Sequence, residues 1–144
     1  MDENMILYQL IDLVQYKDAY QLQSSGIQPQ DMYVLERIGF HKTVQIRDLT
    51  KNYGIPPSTL TGILDRLERK KYIQRVRKDR DRRAIELVTT DEGNIILQGH
   101  LREDRLFARN MFYTLPSEQR QQLLYLLNEL LSNVSKETLF HEGK

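Results

Sequence analysis

The most heavily charged stretch of this sequence runs from Asp65 to Arg83. It holds ten basic residues (Arg66, Arg69, Lys70, Lys71, Arg75, Arg77, Lys78, Arg80, Arg82, Arg83) and four acidic ones (Asp65, Glu68, Asp79, Asp81), a net +6 against −5 for the remainder of a 144-residue chain whose total is +1. Such a segment exchanges counterions with a polyanion: cationic side chains displace the ions condensed on phosphates. Within it, Asp79-Arg80-Asp81-Arg82-Arg83 alternates acid and base. An aspartate beside an arginine can hold the guanidinium in one direction, and an oriented arginine suits a narrow DNA minor groove, where the negative potential is strongest. Shortly upstream stand Ser58, Thr59 and Thr61. Hydroxyls on short side chains can donate to phosphate oxygens or base edges, and the Thr61 methyl suits contact with thymine. Ser58 equally suits the N-cap of a helix.

Other chemistries find no support in residue types and spacing. The chain has no cysteine, which excludes disulfides, thiolate-bound zinc, iron–sulfur clusters and a redox thiol. His41, His100 and His141 are far apart and none falls in an H-E-x-x-H pattern. His100 shares a helix face with Glu103 but has no third ligand nearby in sequence, so no metal site is expected. Asp79 and Asp81 resemble the start of a calcium loop, but its central glycine and closing glutamate are missing. Neither a phosphate-binding glycine loop nor a nucleophile signature is present, and the chain is expected to be no enzyme and to need no cofactor. The longest apolar run, Leu123–Leu127, is far short of the roughly 20 residues of a membrane span, and Asp2 and Glu3 replace a basic signal region. A soluble, cytoplasmic protein is expected.

The elements that must position the charged segment follow from periodicity. Apolar residues at three- and four-residue steps from Asn4 to Gln23 predict an amphipathic helix, stopped at Ser24-Ser25-Gly26. A second helix starts near Pro29. A short third helix, capped by Thr43 and carrying Val44, Ile46 and Leu49, ends at Tyr53-Gly54. A fourth runs from Pro57 to Lys70 and buries Leu60, Ile63, Leu64 and Leu67. Helices three and four, joined by a short turn, read as a helix-turn-helix. The period then drops to two in Tyr72–Arg77 and Ala84–Thr89, predicting a two-stranded hairpin with a basic tip. Thr90 can cap a long helix from Asp91 to about Tyr113, and a last helix follows Pro116 with Leu123, Leu124, Leu127, Leu130, Leu131 and Val134 on one face. The predicted fold class is mainly α (α+β): a winged helix-turn-helix module over residues 30–90 with a two-stranded β wing, and helices 4–23 and 91–138 outside it, in a single domain 1–144.

The outer helices carry more apolar surface than the small module can cover. Ile6, Leu7, Leu10, Leu13, Met111, Phe112, Leu123, Leu127, Leu130 and Leu131 are therefore expected to meet a second copy of the chain. Tyr8, Tyr16, Tyr20, Tyr33, Phe40, Phe107, Phe112 and Tyr113 are candidates to line a pocket for an aromatic ligand near helices one, two and five.

The run Asp79-Arg80-Asp81-Arg82-Arg83 followed by Ala84-Ile85-Glu86-Leu87-Val88-Thr89-Thr90-Asp91-Glu92-Gly93 resembles the wing signature of the MarR family of bacterial winged-helix regulators. Ser58-Thr59-Leu60-Thr61 with Leu64-Asp65-Arg66-Leu67-Glu68 resembles that family's recognition helix. The resemblance covers essentially the whole chain. It implies a homodimeric transcription factor, usually a repressor, that binds a near-palindromic operator in double-stranded DNA. It further implies that Arg83 reaches the minor groove, Asp81 orients the wing, Arg82 contacts backbone, and a small aromatic or anionic effector releases the DNA. Together with the residues above, the expected DNA-binding set is Ser58, Thr59, Thr61, Arg66, Arg69, Arg77, Arg80, Asp81, Arg82 and Arg83. Gly62 departs from the larger polar residue common on that helix, and Lys71 from the glycine common at its end. The competing readings are a winged-helix protein–protein adaptor and a non-specific architectural DNA-binding protein.

Overall fold

A computed structural model describes residues 1–41, 43–77 and 85–143. In chain order it forms α1 (Glu3–Ser25), α2 (Pro29–Gly39), β1 (Val44–Gln45), α3 (Ile46–Tyr53), α4 (Pro57–Arg69), β2 (Ile73–Arg77), β3 (Ile85–Thr89), α5 (Asp91–Phe112), α6 (Ser117–Asn133) and a 3-10 turn (Lys136–Thr138). The chain divides into two compact units, Met1–Asp104 and Arg105–Lys144.

Local chemistry explains most boundaries. The Asp2 carboxylate accepts from the Met5 N–H at 2.9 Å and starts α1, while Gly26 in the left-handed region (φ 71°) stops it. Ser24 and Ser25 remain helical, so the glycine alone is the terminator. Gly54 (φ 64°) ends α3 in the same way. The Thr90 hydroxyl accepts from the Gly93 N–H at 3.0 Å and caps α5, with Asp91 and Glu92 in the first turn where the helix dipole favours anions.

The expected third helix begins later than its apolar pattern suggested. Val44 and Gln45 are extended and pair with β3 (Val44↔Leu87, Gln45↔Glu86), so the sheet has three strands in the order β1-β3-β2. Thr43 is therefore no cap; the Asp48 side chain instead accepts from the Gln45 N–H at 3.2 Å at the start of α3. Val44 is buried opposite fully buried Leu87, and this cross-strand pairing outweighs the helical spacing of Val44, Ile46 and Leu49.

The core of the first unit is built where α2, α3 and α4 meet the sheet. Val34, Leu35 and Ile38 from α2, Leu49 from α3, Leu60, Ile63, Leu64 and Leu67 from α4, and Ile73 and Leu87 from the strands form one buried cluster. Each such side chain contributes about 1.5–3 kcal/mol on burial. Their common consequence is that α4 is seated on its apolar stripe and presents the opposite stripe outward. Gly93 is buried against the turn after α4: a β-carbon at that position would overlap the Tyr72 carbonyl.

Candidate nucleic-acid interface

The outward face of α4 starts with a turn built from two prolines. The Leu60 N–H donates to the Pro56 carbonyl at 2.9 Å, making Pro56 the N-cap and Pro57 the first helical residue. Ser58 therefore lies inside the first turn and does not cap the helix. Its hydroxyl is exposed and makes no hydrogen bond among the described residues. Thr59 is half-buried, and exposed Thr61 donates its hydroxyl back to the Pro57 carbonyl at 2.9 Å. Gly62 follows, and a β-carbon there would come within 3.4 Å of the Arg66 guanidinium.

Among the described residues, two basic side chains of the segment, Arg66 and Arg75, are held in ion pairs within the fold. Arg66 grips Asp31 of α2 with two donors, Nε to Oδ2 at 2.9 Å and Nη2 to Oδ1 at 2.8 Å. Asp31 is buried, with 4% of its surface exposed, and its hydrogen bond, then its charge, raises the pKa of Arg66. This fork ties the middle of α4 to α2 and fixes the helix about its own axis. Arg75 of β2 donates to Asp65 at 2.8 Å and lies 3.4 Å from Glu68, which uses two of the segment's four acids. Lys70 reaches the Gly26 carbonyl at 3.2 Å. Arg69, Lys71 and Arg77 are exposed and have no ion-pair partner among the described residues. Among the described residues, these acids thus offset Arg66 and Arg75 and leave Arg69, Lys71 and Arg77 without an ion-pair partner. None of these pairings follows from spacing, because Asp31 and Arg66 are 35 positions apart.

The wing is carried by β2 and β3, antiparallel from Ile73↔Thr89 to Arg77↔Ile85. The expected contacts Arg80, Asp81, Arg82 and Arg83 lie outside the described residues. The stop that delivers α4 into β2 has Lys71 in the left-handed region (φ 65°), with Lys71 N–H to the Glu68 carbonyl at 2.9 Å and Tyr72 N–H to the Leu67 carbonyl at 3.0 Å. This is a Schellman ending built without glycine.

The residues expected at a dimer interface are uncovered in the chain by itself. Ile6, Leu7, Leu10 and Leu13 on α1 and Leu123, Leu130 and Leu131 on α6 are exposed, while Met111, Phe112 and Leu127 are half-buried. Among the described residues, Gln21 is the one buried residue of α1, and α6 has none.

A cavity of about 300 Å³ opens between α1, α2 and the middle of α5 within the first unit. Of the eight aromatic residues proposed for a ligand pocket, Tyr33 alone lines it. Its walls instead carry Lys17, Asp18, Gln21, Glu36, His100 and Asp104 beside Ile27 and Met32. By spacing His100 shares a helix face with Glu103, but its neighbours are others: His100 Nε2 is 2.7 Å from Glu36 Oε1 and 3.3 Å from Asp104 Oδ2. The third group, missing from the local sequence, comes from α2.

Comparison with known proteins places this geometry. Residues 25–84 match the model of the MarR family. Over 129 residues, 90% of this chain and 83% of the relative, the sequence is 26% identical to the HTH-type transcriptional repressor MdtR of Bacillus subtilis. Among solved structures it is similar to the YusO protein of Bacillus subtilis, with a TM-score of 0.78 and 25% identity over 91% of this chain and 93% of that one. It is equally similar to Streptococcus pneumoniae FabT in complex with DNA, with a TM-score of 0.78 and 25% identity over 91% of this chain and 96% of that one. Among the described residues no helix is long and apolar enough to cross a membrane. The seated α4, its Schellman stop and the β2–β3 wing form a winged helix-turn-helix fold, and these likenesses support its reading as a MarR-family transcriptional regulator.

Proposed function

We propose that this protein represses transcription by binding a near-palindromic operator as a homodimer, with α4 in the major groove and the wing tip in the adjacent minor groove. The observation that carries this reading is the asymmetry of α4. Leu60, Ile63, Leu64 and Leu67 lock one stripe into the core, while Ser58, Thr61 and Arg69 stand exposed on the other. Ser58 donates to a base or phosphate. Thr61, whose hydroxyl is turned to the backbone, presents its methyl to thymine. Arg69, Arg77, Arg80 and Arg82 neutralise phosphates, Asp81 orients the wing, and Arg83 enters the minor groove.

The exposed apolar faces of α1 and α6 support the homodimer, since a stripe of this kind left bare is atypical of a monomer. Two copies related by a twofold axis read two half-sites about one helical turn apart. A small ligand releases the DNA, and the cavity between α1, α2 and α5 is its candidate site. The three acids Asp18, Glu36 and Asp104 on the walls favour a cation over the anion implied by the family resemblance.

In vitro selection from a random duplex pool tests the reading, because a dimeric regulator returns a palindrome. Recovery of unrelated sequences would point to architectural binding, and no recovery at physiological salt to a protein–protein adaptor. On the selected operator, Arg83→Ala weakens binding by about 1–3 kcal/mol and leaves the fold unchanged by circular dichroism.

A further inference from the structure

We propose that Glu36, His100 and Asp104 form a binding site for a divalent transition-metal cation of the zinc class. The proposal deepens the ligand-release reading above by naming the ligand. His100 and Asp104 stand one turn apart on α5, and Glu36 faces them from α2, so two helices present one imidazole and two carboxylates to a common point. One donor atom from each lies within 4.8 Å of the others. The two His100 Nε2 distances, 2.7 and 3.3 Å, lie close to the roughly 3.4 Å edge of a tetrahedron around zinc, so a modest movement of the carboxylates closes the set.

Two further observations point to a cation. First, His100 is nine-tenths buried (9% exposed), with Nε2 aimed at both carboxylates. One imidazole nitrogen cannot donate a single proton fully to two carboxylates. Second, a cation is already held at the rim: the Lys17 ammonium pairs with Asp104 and donates to Gln21 Oε1 at 2.8 Å. Gln21 in turn donates to Asp104 Oδ1 at 3.0 Å and to the His100 carbonyl at 3.3 Å. A metal ion entering from the cavity displaces Lys17 from Asp104 and leaves its fourth position to water or the Gln21 oxygen. The imidazole in the donor set selects zinc, cobalt, nickel or iron over magnesium or calcium.

The test is titration of the metal-stripped, full-length protein, without DNA, using cobalt(II) and then zinc(II). Cobalt binding at one site per chain, with visible ligand-field bands that zinc abolishes, is the expected result. The isosteric variants Glu36→Gln and Asp104→Asn, and His100→Ala, weaken zinc binding by about 100-fold or more. Lys17→Met tightens it by about tenfold, since it removes the competing cation. The thermal midpoint of the wild type rises on adding zinc, and that of Asp104→Asn does not, which keeps the result readable even where His100→Ala is poorly folded. Equal binding by wild type and Asp104→Asn, or weaker binding by Lys17→Met, would overturn the site. Operator affinity with and without zinc is measured separately. If zinc binds but leaves operator affinity unchanged, the site stands and the ligand-release reading fails. An operator response that persists in Asp104→Asn rejects this site and retains that reading.

Discussion

Lys71 and Arg66 show how single residues carry the geometry of the proposed DNA-binding face. Lys71 ends α4 with φ 65°, a conformation in which a β-carbon crowds the neighbouring carbonyl. Replacing it with glycine removes that crowding at a position whose backbone bonds to Glu68 and Leu67 are already formed. Lys71→Gly is expected to stabilise the protein by about 1 kcal/mol in urea unfolding, although it deletes a cation; an unchanged or lower midpoint would show that the turn carries no strain. Arg66 belongs to the same helix and does a different job. Because its Nε and Nη2 are both spent on buried Asp31, Asp31→Asn and Arg66→Met should each lower the melting temperature, and the double variant should lose less than the two losses combined. Additive losses would show that the two side chains act independently.

At the scale of the element, α4 works as a rod with a fixed rotation. Its apolar stripe was legible from sequence because burial follows the 3.6-residue period, and Leu60, Ile63, Leu64 and Leu67 are all buried. Leu64→Ala should cost about 2–5 kcal/mol of stability and weaken DNA binding through the fold rather than through contact, which chemical denaturation separates from gel-shift affinity. Its charged stripe was not legible in the same way. Spacing placed ten cations in one segment but could not indicate that Arg66 and Arg75 are neutralised by Asp31, Asp65 and Glu68. On the proposed binding mode the cations left over make the electrostatic contacts: Arg69→Ala and Arg77→Ala should each lower the salt slope of operator binding by about 1, whereas Arg75→Ala should leave it nearly unchanged. A slope reduced equally by all three would mean that Arg75 leaves its acidic partners on binding DNA. The β1 strand marks another limit, since Val44, Ile46 and Leu49 have helical spacing and the strand forms because Val44 meets Leu87 across the sheet.

For the whole molecule, the apolar residues of α1 and α6 set the question of assembly. A monomer would leave Leu10, Leu13 and Leu130 in water, each 42–55% exposed, at a cost of about 25 cal/mol for every Å² of apolar surface. Leu10→Asp and Leu130→Asp are expected to shift the protein toward monomer in analytical ultracentrifugation and to reduce operator affinity more than half-site affinity. An unchanged sedimentation coefficient in both variants would place the dimer contact elsewhere. The amino-acid sequence by itself determined the helix order, the apolar stripes, the α3–α4 turn and the strands of the wing, because each depends on residues within a turn or a pleat of one another. The tertiary structure decided what each polar group faces: Asp31 meets Arg66 across 35 positions, and Glu36 joins His100 and Asp104 from another helix. Such contacts depend on how the folded core brings separate helices together, and chain spacing holds no record of that distance.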